Sequence, residues 1–166
     1  MSRKPVKKRV RAKDNYFQSQ KVSLLIHMLM KDGKKLQATN IVKDALYLAL
    51  EKLHPEITDE NEKKAKILEL LDQVLEKAGP TVEVKTKRIG GANYPVPVPV
   101  PVDRRTALAF RWLIRFARKH KEQTMSKKLA REILDVLAER GATIAEKLNM
   151  KRMAEANKAF AHLGRM

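Results

Sequence analysis

The 166 residues include no cysteine, which excludes disulfides, thiolate metal sites and cysteine nucleophiles. No apolar run approaches the roughly 20 residues of a membrane-spanning helix. The basic N-terminus is not followed by a hydrophobic segment and lacks serine richness, so neither a secretory signal nor a transit peptide is expected. Histidine is sparse: His27, His54, His120 and His162 show no metal-ligand spacing, and no H-E-x-x-H occurs. His120 is expected to join a basic face. Gly33-Lys34-Lys35 lacks the upstream glycine and the following Ser or Thr of a phosphate-binding loop. No nucleophile elbow, Ser-x-x-Lys or dinucleotide fingerprint is present. The sequence therefore offers no set for covalent, metal or acid–base chemistry, and calls for no cofactor.

Acidic residues are also in short supply. Nineteen Asp and Glu stand against 36 Lys and Arg, a net charge of +17. Such an excess implies a polyanionic partner, nucleic acid before an anionic membrane surface. The charge is unevenly spread. Residues 1–15 carry seven basic groups and one acid, whereas residues 51–78 carry five basic and eight acidic groups. The first segment has almost no large apolar side chain, cannot offset its ordering entropy, and is expected to be a disordered basic extension that folds onto a polyanion.

The stretch from Pro80 to Lys121 organises the remainder. Val82 and Val84 alternate with Glu83, Lys85 and Lys87, the period of a strand. Gly90-Gly91 permits a tight reversal. The returning arm carries Pro95, Pro97, Pro99 and Pro101. Their spacing of two puts every missing N–H on one edge, leaving the N–H groups of Val96, Val98, Val100 and Val102 free to pair with the first arm. A polyproline-type linker is the alternative. The expected ribbon, at about 81–102, has one edge unable to recruit a further strand.

A helix follows, with Asp103 as the expected N-cap. Leu108, Trp112 and Phe116, flanked by Ala109 and Leu113, form its apolar stripe, and Arg104, Arg111, Arg115, Arg118 and Lys119 fall mostly to one side. From Asp103 to Arg131 ten basic residues face two acids, a nearly one-signed face that needs an anion to neutralise it. Further helices are expected at Ser19–Met30, stopped by Gly33; at Leu36–Leu53; at Thr58–Ala78; from a Ser126 cap to Gly141; and from Thr143 to about Ala161, where Leu148, Met153, Ala156 and Phe160 are the expected inward residues. The fold class is mostly α: a six-helix domain over 16–166 with one protruding two-stranded hairpin. A tail, a ribbon and a helix face of like charge suit a folded RNA better than a uniform duplex. An architectural duplex-DNA binder is the rival reading. Tyr94 is placed either to stack on a base or to pack across the strands.

LMKDGKK (29–35), VEVKTKRIGGANYPVPV (82–98), Arg104-Arg105 with ALAFRWL (107–113) and MAEANKAFAH (153–162) occur in this order. With these motifs the chain resembles the bacterial-type small-subunit ribosomal protein seven family over nearly its whole length. It departs from the family pattern at Pro95, at Pro99, around 57–67 and in its AHLGRM ending. The resemblance implies six helices with a protruding hairpin and no enzymatic activity. It also implies early binding to the 3′ major domain of small-subunit rRNA, nucleation of head assembly, and a place at the subunit interface near the decoding region. The hairpin tip Gly90, Gly91, Ala92, Asn93 and Tyr94 would lie near exit-site tRNA. Neighbouring head and platform proteins are implied as partners, without a membrane, in a cytoplasmic or else an organellar ribosome. Carried over by position, the implied rRNA contacts are Arg3, Lys4, Lys7, Lys8, Arg9, Arg11 and Lys13 of the tail, and Lys31, Lys34 and Lys35. They continue with Lys85, Lys87 and Arg88 of the hairpin, and with Arg104, Arg105, Arg111, Arg115, Arg118 and Lys119.

Overall fold

The computed structural model describes residues 11–165; the expected tail contacts Arg3, Lys4, Lys7, Lys8 and Arg9 lie outside them. Among the described residues the chain forms α1 (Gln20–Leu29), α2 (Lys35–Leu53), α3 (Glu60–Ala78), β1 (Val82–Ile89), β2 (Ala92–Pro99), α4 (Val102–Ala117), α5 (Met125–Leu137) and α6 (Ala142–Ala156), and ends in a 3-10 helix (Lys158–Arg165). The mostly α class and the single hairpin are as the sequence predicts.

Several boundaries differ by a turn chemistry that the apolar period does not show. The C-cap of α1 is Met30, whose N–H donates to the Ile26 carbonyl. Gly33, at φ 71°, shapes the loop after it instead. α3 starts at Glu60 rather than Thr58, and Asp59 caps it by accepting the Glu62 N–H at 3.4 Å, with Glu60 and Glu62 in the first turn where the helix dipole favours acids. Thr124 rather than Ser126 caps α5. In α4 the cap position is Pro101, which offers no side-chain bond, and Asp103 falls inside the first turn.

One apolar cluster joins α1 to α5. Leu25, Leu46, Leu50, Ile67, Leu71, Phe110, Leu113, Leu129 and Ile133 are among its fully buried members; each such side chain contributes about 1.5–3 kcal/mol relative to exposure. Ala38, Ala45 and Ala49 are buried along α2, which packs on α5, α1 and α3. The predicted stripe of α4 is buried in full and is wider than expected, since Phe110 and Ile114 join it. In α6 the expectation fails. Leu148 is 48% and Met153 41% exposed, Ala156 is exposed, Phe160 lies beyond the helix, and the buried positions are Thr143 and Ala154. This helix sits at the margin, beside the hairpin, so no core demands a full stripe from it.

The core begins at Phe17. Asp14 accepts the N–H groups of Tyr16 (2.9 Å) and Phe17 (2.8 Å), and Phe17 is buried. The Tyr16 ring has the ammonium groups of Lys43 and Lys64 within 4.1 and 4.4 Å of its centre. The Tyr16 hydroxyl meets that of Tyr47 at 2.8 Å, and Tyr47 donates to Glu60 at 2.9 Å. Burial, with these two hydrogen bonds, pushes the Tyr47 hydroxyl well above its ordinary pKa. Removing residues 1–13 is therefore expected to leave the melting temperature within about 1 °C, whereas removing 1–17 lowers it by several degrees. Thermal unfolding of both truncations checks this; a large loss in the shorter one counts against the boundary.

β1 and β2 pair antiparallel from Val82–Pro99 to Ile89–Ala92. Gly90 (φ 57°) and Gly91 (φ 89°) form the two-residue reversal, both in the left-handed region that a type I′ turn requires. Pro95, Pro97 and Pro99 stand opposite Thr86, Val84 and Val82, and the Val100 N–H donates to the Thr81 carbonyl at 3.0 Å. Through Val100 the valine donors thus point inward and the prolines to the free edge, as their spacing predicts, but Pro101 and Val102 leave the ribbon, as the cap position and first residue of α4.

Candidate nucleic-acid interface

Arg104, Arg111, Arg115 and Arg118 are spaced 7, 4 and 3 apart, so they share one side of α4. All four are exposed, while the opposite side of the helix is buried against the core. At 1.5 Å per residue the row runs about 21 Å. Arg111 has no ion pair or hydrogen bond among the described residues. Arg115 stands 3.9 Å from Glu146, an exposed pair of little energetic weight. The Arg115 guanidinium and the Lys119 ammonium lie 5.5 and 5.3 Å from the Phe116 ring centre, which holds both groups near the row.

The tertiary fold extends this row. Arg118 lines a surface depression together with Lys31 and Lys34, from the turn between α1 and α2. These three cations form no ion pair among the described residues. Lys35 is exposed next to them, and the first turn of α2 holds no acid. Residues more than 80 apart in sequence thereby make one positive surface. Arg11 and Lys13 are exposed at the start of the described chain.

The hairpin contributes less free charge than its sequence suggests. Glu83, Lys85 and Lys87 share a face with the buried Val96, and Glu83 is itself only 5% exposed. Glu83 meets Lys85 Nζ at 2.9 Å and Arg104 Nε at 3.2 Å. Burial raises the affinity of its carboxyl for a proton, but the two cations outweigh this and hold it below the ordinary carboxylate range. Lys87 donates to the Leu163 carbonyl at 2.9 Å, and the Tyr94 ring lies 5.6 Å from that of Phe160. Tyr94 therefore packs on the C-terminal 3-10 helix. Arg88 is exposed, as is the tip Gly90, Gly91, Ala92 and Asn93.

Arg105 has a structural post. It donates to the Glu76 carbonyl at 3.0 Å, in the last turn of α3. Lys147 donates to the Lys77 carbonyl at 2.6 Å, and Lys77 to Leu137 at the end of α5. These cations satisfy carbonyls that helix ends leave unpaired. Burial, and then the nearby Arg105 charge, lower the Lys147 pKa. Gly79 makes room for this arrangement: a Cβ there would lie 2.7 Å from Arg105 Cγ and 2.8 Å from the Leu75 carbonyl oxygen. Gly79→Ala is expected to cost about 1–3 kcal/mol, measured by denaturant unfolding; an unchanged midpoint refutes the close approach.

His120 does not join the basic face. Its Nε2 lies 2.6 Å from Glu132 Oε2, and Glu132 is 1% exposed. Glu132 Oε1 also accepts the Thr143 hydroxyl at 2.6 Å and the Thr143 N–H at 3.2 Å. Sequence reading missed this group. The available signal was an acid in phase with Leu129, Ile133 and Val136 on the apolar side of α5. Asp135 lies close enough to complete a three-ligand cluster with His120 and Glu132, but Arg140 holds it at 2.9 Å. The cluster is tied together by protein donors.

A sequence model of the ribosomal protein S7p/S5e family matches residues 1–158. The chain belongs to the ribosomal protein S7p/S5e family. Membership makes it a structural ribosomal protein and not an enzyme. Similar proteins, each named small ribosomal subunit protein uS7, span nearly all of it. That of Chloroflexus aggregans is 46% identical over 92% of this chain and 91% of its own length. That of Microcystis aeruginosa is 44% identical over 96% of each. That of Desulfatibacillum aliphaticivorans is 41% identical over 96% of each. No helix among the described residues is long and apolar enough to cross a membrane.

Proposed function

We propose that this chain is a primary binder of small-subunit rRNA, docking on the 3′ major domain and nucleating assembly of the subunit head. As a member of its family the chain is a structural protein of the small ribosomal subunit. The observation that carries direct rRNA binding is the row from Arg104 to Arg118, continued by Lys31 and Lys34. In mechanism, the row neutralises phosphates crowded where RNA helices meet, which frees the junction to close. The rigid core fixes the spacing of the cations, so the protein reads shape more than sequence.

The basic extension 1–15 would follow phosphates outward from its root at Asp14, with 16–166 acting as one domain. The exposed tip Gly90–Asn93, with Arg88, is placed to approach exit-site tRNA near the decoding region. The exposed acids Asp59 and Glu62 at the start of α3 offer a surface for basic neighbours among the head and platform proteins, in a cytoplasmic or an organellar ribosome. The duplex-DNA alternative fits less well. Eight of the sixteen residues of α4 are buried, so the helix is embedded and cannot enter a groove as a projecting recognition helix does.

Protection mapping of small-subunit rRNA with the purified chain tests the proposal. Protections should cluster at a helix junction in the 3′ major domain, and that rRNA should outcompete random duplex DNA by at least about 100-fold. Equal competition by the duplex would overturn the reading.

A further inference from the structure

The depression between Lys31, Lys34 and Arg118 encloses about 320 Å³. That is at the small end of ligand clefts, which span about 300–1,000 Å³, and leaves room for one planar base with its sugar. Its floor includes the half-buried side chains of Met30, Ile41 and Met125. None of its lining residues is acidic. A second depression of about 410 Å³ makes a useful contrast. It too is lined by cations, but Glu122 holds Arg131 at 2.8 Å and Asp135 holds Arg140 at 2.9 Å. The two differ in chemistry: the first joins an apolar floor to unneutralised positive charge, and the second carries mixed sign.

The geometry points to a subsite for one unpaired nucleotide of the bound RNA, its base on the methionine and isoleucine floor and its flanking phosphates on the three cations. The assignment rests on the RNA-binding reading of this face and names what the face takes beyond phosphate. Unpaired bases are what proteins recognise in folded RNA, because their faces are free to stack and an Arg guanidinium can cover one of them. Thioethers are polarizable and pack favourably against rings. A base in a duplex is already stacked and cannot enter, so the subsite selects a bulge or a junction residue over regular helix.

Gln37 is exposed and lines the depression. Gln37→Trp would fill it while keeping every cation. Wild type and variant are titrated with the 3′ major domain of small-subunit rRNA, with base probing by dimethyl sulfate and ribose probing by hydroxyl radical. The expected result is an affinity loss of about 10-fold with an unchanged log–log salt slope, because no phosphate contact is removed. One unpaired base should regain reactivity while the riboses beside it stay protected. Equal affinity and identical base protection by Gln37→Trp would overturn the subsite. Ultraviolet crosslinking of the wild-type complex gives a readout independent of the variant's folding. Nucleotide adducts on peptides containing Met30 or Met125 support the subsite, and adducts confined to the tail or hairpin refute it. If the wild-type chain shows no preference for the rRNA over duplex DNA, the RNA reading itself falls. If that preference persists without base protection, only the subsite does.

Discussion

Replacing Arg111, Arg115 and Arg118 together by Ala should flatten the log–log salt dependence of rRNA binding by about 2 to 3, since each phosphate contact contributes close to one unit of slope. At physiological salt the affinity should fall about 100-fold or more. The melting temperature should stay level, because all three side chains lie on the exposed side of α4 and the stripe that holds the helix in place is untouched. Replacing Lys85, Lys87 and Arg104 should do less per charge removed. Glu83 already neutralises part of Lys85 and Arg104, and Lys87 is spent on the Leu163 carbonyl. Filter binding over a salt series separates the two sets. An unchanged slope in the α4 triple variant would show that the row does not meet phosphate.

The largest effect on stability is expected at Glu132. Its carboxyl joins the connection after α4, the middle of α5 and the first turn of α6 through His120 and Thr143. Glu132→Ala leaves a cavity in a closed interior and strips partners from His120 and from both Thr143 donors. About 3–5 kcal/mol should be lost, or roughly 10 °C in melting temperature for a chain of this size. Glu132→Gln keeps an acceptor for Thr143 and should lose less than half as much. Differential scanning calorimetry of the two variants decides. Equal losses would mean that the carboxylate charge, not the filled volume, carries this joint, and a negligible loss in the Ala variant would mean that the three elements do not depend on it. The RNA salt slope of the folded fraction should not change, since Glu132 touches none of the cations in the row.

The proline-spaced arm shows how far local geometry reaches. A period of two decides which edge each backbone donor faces, so the ribbon and its blocked edge were legible before any tertiary contact was known. The same holds for the side of α4 that carries Arg111, Arg115 and Arg118, because 3.6 residues per turn places them together whatever the helix packs against. Periodicity also marked the inner side of α4. It misplaced α6, where no partner fills the expected stripe.

Sequence alone thus determined most element types, the prevailing charge, the two edges of the ribbon and the two sides of α4, all of which depend on bonded geometry over a few residues. Tertiary structure decided which face meets which. It brought Lys31 and Lys34 beside Arg118, turned Arg105 and Lys147 toward the carbonyls ending α3, and buried Glu83 and Glu132 among donors. Long side chains choose partners by distance through space, and that distance is set only when the elements dock.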